Sequence, residues 1–172
     1  MKLHIIVGCL IGFLVIGNCA NPATKEGMIT KDFESRKKIG ESIFIEKTTG
    51  GSKTNPFLIS KISSEELNIA IQDSIKESKL FTRLVGEETE DWRLKSEIIK
   101  QDQPYFSFNT NCKVSVKYSV YKSNRLVREF IIEETGSSSL RDSLRPIKRV
   151  QIANENAARA NIHKLLEELA KI

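Results

Sequence analysis

The side chains best able to do chemistry are few and scattered along the chain. Its 172 residues include two histidines, His4 and His163. A zinc centre needs three or four ligands at set spacing, and a serine-type triad needs a base beside a positioned nucleophile. No H-E-x-x-H, C-x-x-C or G-x-S-x-G pattern occurs, and His163 precedes Glu167 at the spacing of an exposed helical pair. The run Gly50-Gly51-Ser52-Lys53-Thr54 has the ingredients of a phosphate-binding loop but not their order. Such a loop needs Gly directly before Lys and a helix afterwards, so that backbone N–H groups face the phosphates. Here Ser52 intervenes and Asn55-Pro56 blocks a helix start. The adjacent acids Glu65-Glu66, Glu87-Glu88, Glu133-Glu134 and Glu167-Glu168 diverge in space on a helix or strand, whereas the paired acids of a glycosidase face each other across a cleft. The expectation is therefore no catalytic residue, no metal ligand set and no cofactor.

Two constellations remain as candidate contacts. Arg141, Arg145, Lys148 and Arg149 gather within nine residues and could face an anionic surface. The turn formers Gly50, Gly51, Thr54, Asn55 and Pro56 could shape a loop for a partner. The net charge of +5 suits mild attraction to anionic headgroups. It excludes nucleic acid as an expected partner, because no dense basic stripe interleaved with aromatics accompanies it.

The cysteines give the chain an address. Met1-Lys2-Leu3-His4 is a short basic opening, and Ile5 to Gly17 is uncharged and mostly aliphatic. That run is shorter than the roughly 20 apolar residues a spanning helix needs, and polar residues follow it. Val15-Ile16-Gly17-Asn18-Cys19 resembles a lipobox, the cleavage and acylation signal of bacterial lipoproteins, with Asn18 larger than the Gly, Ala or Ser usual before the cut. The resemblance implies a signal peptide over 1–18, lipid on Cys19 and a membrane as partner. Cys9 then leaves with the signal and Cys112 is the sole free thiol, on the apolar phase of its strand, so the mature domain has no internal disulfide.

The remaining elements follow from periodicity. Residues 19–41 are polar, carry Pro22, Gly27 and Arg36-Lys37-Lys38, and are expected to form a flexible tether reaching about 70 Å when extended at about 3.3 Å per residue. A single domain is expected over 42–172. Ile43-Phe44-Ile45 and Phe57-Leu58-Ile59 suggest short strands. Ser63 to Glu66 forms a capping box, and Leu67, Ala70, Ile71, Ser74, Ile75 and Ser78 recur at helical spacing. Trp92 to Ile98 alternates, as does a longer run from Phe106 through Cys112, Val114, Val116 and Tyr118 to Val120. Ser123-Asn124 turns that run into Leu126 to Glu133 as a hairpin. Pro146 to Leu169 closes the chain as a helix with the stripe Val150, Ala153, Ala157, Ala160, Ile162, Leu165, Leu166 and Leu169. Together these predict an α+β fold: a two-layer sandwich of a mostly antiparallel sheet with two helices packed on one face.

This layout over 42–172 resembles small outer-membrane lipoproteins that assist ABC-type lipid transport or lipopolysaccharide assembly. The segment from Gly51 to Phe57, with Ser60 to Ser63, is similar to that of uncharacterised bacterial lipoproteins. Neither resemblance carries over a functional residue. The expected role is a non-enzymatic accessory or interaction subunit at the periplasmic face of the outer membrane, contacting an envelope protein or anionic lipid. Alternatives are a hydrolase of cell-envelope material, a small-molecule binder and a surface-displayed adhesin.

Overall fold

A computed structural model of the chain describes residues 20–35, 37–54, 60–87, 91–104 and 109–172. Cys19 and the segment before it, Phe57-Leu58-Ile59 with the strand expected there, Asn55, Pro56, Phe106 and Phe108 lie outside the described residues. Among the described residues the elements in chain order are α1 (Lys25–Met28), β1 (Gly40–Ile45), α2 (Ser64–Ser78), β2 (Phe81–Val85), β3 (Trp92–Asp102), β4 (Thr110–Lys122), β5 (Arg125–Ser138) and α3 (Pro146–Leu169).

Helix α2 forms as its cap predicts. The Ser63 hydroxyl accepts the Glu66 N–H at 3.2 Å, and Leu67, Ala70, Ile71, Ser74, Ile75 and Ser78 are the buried residues of the helix. It ends at Lys79, whose φ of 58° is left-handed. On β4, Val114, Val116, Tyr118 and Val120 are buried toward the helices. The β4–β5 connection is the two-residue turn Ser123-Asn124, with φ of 49° and 60°, whose twist matches that of the flanking strands. Helix α3 begins with Pro146 in its first turn, where the missing N–H costs nothing, and packs on β4 and β5.

The sheet is mixed, which corrects the mostly antiparallel expectation. Its order is β2-β1-β3-β4-β5, with β1 parallel to both β2 and β3, while β3-β4-β5 is antiparallel. The reason is connectivity. Helix α2 joins β1 to β2, and a helical crossover returns the chain in the same direction, whereas a tight turn reverses it. The strand β2 was not anticipated, because Phe-Thr-Arg-Leu-Val has no clean alternation.

Residues 20–35 correct the expected tether. Ala23 and Met28 are fully buried and Ala20 is 4% exposed, so a packed body already exists upstream of Ser42. Side chains of the two long helices hold this segment, Ser74 among them, whose hydroxyl accepts the Thr30 N–H at 3.0 Å. The Glu155 carboxylate accepts the Thr24 N–H and hydroxyl, both at 3.0 Å. Glu66 accepts the Lys25 N–H at 2.8 Å, and the Arg159 guanidinium donates to the Gly27 carbonyl. A polar segment with scattered apolar residues is thus ordered by partners remote in sequence, which local composition does not reveal.

Candidate functional surfaces

The apolar stripe of α3 is interrupted by buried polar side chains that sequence reasoning missed. Asn154 donates to the Ser60 carbonyl at 3.0 Å and accepts from Gln103 at 2.9 Å. Asn161, fully buried, accepts the Tyr118 hydroxyl at 2.8 Å and donates to the Ile132 carbonyl at 2.8 Å. Burial pushes the Tyr118 phenol far up, so it stays a neutral donor. Buried polar groups persist where they are paired, and here the pairing fixes α3 on the sheet and the N-terminal segment on α3. The signal available in sequence was Asn154, Glu155 and Asn161 falling among the apolar positions of the helix.

The basic group around the start of α3 divides. Arg141, Arg145 and Lys148 are exposed. Arg149 is 3% exposed, and its guanidinium donates to the Ser143 and Leu144 carbonyls at 3.0 and 3.2 Å. Its expected role as a contact to an anionic surface is therefore corrected: it braces the turn before α3 from beneath. The same turn carries Leu140, 45% exposed, and Leu144, 83% exposed.

In the glycine loop, Gly50 has φ of 79°, and an added Cβ would meet the Ile98 carbonyl oxygen at 2.1 Å. The Gly51 N–H donates to the Ser64 hydroxyl at 2.8 Å, and the Thr54 hydroxyl accepts the Lys61 N–H at 2.9 Å. The loop is tied to β3 and to the start of α2, and close backbone approach accounts for its glycine at position 50.

The polar face of the hairpin carries an ion-pair ladder. Lys113 and Lys117 reach Glu133 and Glu129 at 2.9 and 3.0 Å, and the Ser115 and Ser119 hydroxyls donate to the same carboxylates at 2.9 Å. Hydrogen bonds from the lysines first, then the serines, hold both carboxyls below the ordinary range. The His163 ring packs edge-on against Phe33, with Nε2 at 3.6 Å from Glu167. Cys112 is fully buried, and burial pushes its thiol up to about 12, against a weaker pull from Lys61. Among the described residues no three His, Cys, Asp or Glu side chains gather to hold a metal, and no helix is long and apolar enough to cross a membrane. A cavity of about 230 Å³ opens between the ends of β1 and β2 and helix α2, lined by Phe44, Ile45, Gln72, Leu84, Val85 and Gly86. That is below the roughly 300 Å³ at which drug-sized ligand sites begin.

The geometry defines an α+β class, a five-stranded mixed sheet carrying a long C-terminal helix, that recurs among bacterial proteins of known structure. Protein XCC0632 from Xanthomonas campestris, of the DUF330 family, is similar at a TM-score of 0.59 and 11% identity, over 84% of this chain and 93% of that one. The hypothetical protein CT253 from Chlamydia trachomatis is similar at 0.52 and 12%, over 77% and 94%. A minor lipoprotein from Acinetobacter baumannii matches at 0.49 and 7%, over 78% and 93%, a level that carries no argument. At these identities the likeness is one of fold alone. No protein-family model matches the sequence, and no curated protein matches it.

Proposed function

We propose that this chain is a lipid-anchored protein of the bacterial envelope, working as a non-enzymatic accessory or interaction subunit at the periplasmic face of the outer membrane and assisting lipid or lipopolysaccharide transport. The observation that carries the reading is the junction at Ala20. The packed body begins at the residue after the lipobox-like cysteine, so lipid on Cys19 would couple directly to a rigid domain. Such coupling suits a subunit that must present one surface at a fixed height above a bilayer. The fold is read as two layers, helices on one side of the sheet and the Lys–Glu ladder on the other. By sheet order β5 is an edge strand, and it carries Leu126, Val127 and Ile131 at 54%, 46% and 63% exposure. Exposed apolar side chains along a sheet edge suit a protein contact.

Two measurements test this. The wild-type chain should incorporate labelled fatty acid, and Cys19→Ala should remain an unprocessed, unlabelled precursor. A photo-crosslinker at Ile131 in intact cells should capture a specific envelope protein. Unchanged labelling in Cys19→Ala would remove the anchor. A chain that captures nothing and instead hydrolyses envelope material would replace the accessory role with an enzymatic one.

A further inference from the structure

The N-terminal segment runs alongside α3 in the same direction, with Thr24 at Glu155, Gly27 at Arg159 and Phe33 at His163. Traced backward from Thr24, it therefore heads toward the start of α3. Glu155 lies about 14 Å along the helix from Pro146 at about 1.5 Å per residue. The four residues from Thr24 back to Ala20 span up to about 13 Å. Continued in that direction, these four residues would bring Ala20 to the end where the turn of residues 139–145 leads into Pro146. The Ser123-Asn124 turn lies at the other end of β4, roughly 40 Å away at about 3.3 Å per residue.

The turn is built to hold apolar side chains outward. Asp142 accepts the Ser139 N–H at 2.7 Å and its hydroxyl at 3.0 Å, which ties the exposed carboxylate to the turn's own donors and holds its carboxyl below the usual range. The Arg145 N–H donates to the Ser143 hydroxyl at 3.2 Å, and Arg149 takes the Ser143 and Leu144 carbonyls from beneath. Backbone groups satisfied within the protein are what a segment entering a water-poor interface requires. Single exposed leucines are ordinary. Here Leu140 and Leu144 stand on one braced turn among three exposed cations, Arg141, Arg145 and Lys148.

We infer that this turn is a second membrane contact, with Leu140 and Leu144 entering the headgroup–acyl boundary of an anionic bilayer while Arg141, Arg145 and Lys148 meet lipid phosphates. The inference rests on the reading that Cys19 bears the lipid, and it adds an orientation: the start of α3 faces the bilayer and the Ser123-Asn124 turn points away. Apolar side chains ringed by cations are the chemistry of interfacial binding, and each element reinforces the other at the surface.

The test uses the full lipoprotein reconstituted in vesicles of phosphatidylcholine, with or without phosphatidylglycerol. A nitroxide is placed on Leu144→Cys and, as a control at the far end, on Arg125→Cys. Buried Cys112 takes no label in the native protein. In phosphatidylglycerol vesicles the label at 144 should be reached by oxygen and shielded from a water-soluble nickel complex, while the label at 125 shows the reverse. Replacing Arg141, Arg145 and Lys148 together by Gln, or raising the salt, should return the 144 label to water. A 144 label that stays in water in both vesicle types overturns the contact, whether or not acyl chains are present, and leaves the turn open to a protein partner. Intact mass reads the anchor separately: acyl chains on the protein support it, and a second nitroxide taken up at Cys19 removes it.

Discussion

Val116 and Lys117 are neighbours on β4 with opposite environments. Val116 is fully buried, while Lys117 stands on the polar face, paired with Glu129 at 3.0 Å. Val116→Ala should cost on the order of 1–3 kcal/mol through lost burial and the cavity left behind. Lys117→Ala should cost less than about 0.5 kcal/mol, because an exposed ion pair contributes little net. Urea midpoints separate the two, and comparable losses would mean that both faces of β4 are buried. Cys112 belongs to the same phase. With its thiol pushed up to about 12, the thiolate fraction at pH 8 falls on the order of a thousandfold below that of a free cysteine. An aromatic disulfide reagent should therefore modify Cys112 only as fast as the protein unfolds, and modification as rapid as in denaturant would contradict the burial. These positions were legible in the sequence because alternation assigns a face. Arg149 was not: nothing in a run of four cations distinguishes the one that turns inward to bind carbonyls.

Among the elements, α2, α3 and the β4–β5 hairpin could be read locally, since a cap, a proline at a helix start and a long alternation each act within a few residues. Strand β2 and the parallel pairings of β1 could not, because they depend on where the crossover helix returns the chain. The seat of α3 lies between these cases. Gly136 of β5 is where helix and sheet come closest: a Cβ there would sit 2.1 Å from the Ala157 nitrogen and 2.3 Å from the Ala153 carbonyl oxygen. A glycine inside an alternating strand signals such an approach, and the small Ala153 and Ala157 opposite complete the pattern. Both obstructing atoms are backbone, so no rotamer change relieves the clash. Gly136→Ala should destabilise by about 3 kcal/mol, toward the upper end for overpacking. Gly86→Ala, where nothing lies within 4 Å, should stay within about 0.5 kcal/mol of wild type. Equal midpoints for the two variants would show that α3 is free to shift.

At the scale of the whole molecule, the N-terminal segment is part of the packed body and contributes to its stability. It was the part least legible in sequence, because its polar composition matches that of a linker, and its burial comes from single residues and from carboxylates more than 40 positions away. Without residues 20–39, the site filled by Met28 empties and Glu155 loses the Thr24 N–H and hydroxyl. Burying one Met contributes roughly 1.5–3 kcal/mol, and hydrogen bonds to a charged acceptor roughly 1.5–3 kcal/mol each. A chain beginning at residue 40 should therefore lose several kcal/mol, roughly 4.5–9 by these figures, out of the roughly 5–15 kcal/mol typical of a domain, and unfold at clearly lower urea than one beginning at residue 20. A double-mutant cycle tests how much of the loss belongs to the contact of Glu155 with Thr24. Glu155→Ala in the chain beginning at residue 20 should cost about 1–3 kcal/mol, because it strands the Thr24 donors and frees the Gln151 amide that Glu155 also accepts at 2.9 Å. The same substitution in the chain beginning at residue 40 should cost much less, because Thr24 is already gone. An equal cost in both backgrounds would mean that Glu155 stabilises α3 alone and that residues 20–30 are held by Met28 and Ala23. The rigid junction beside Cys19 would then depend on apolar packing, with the carboxylate incidental to it.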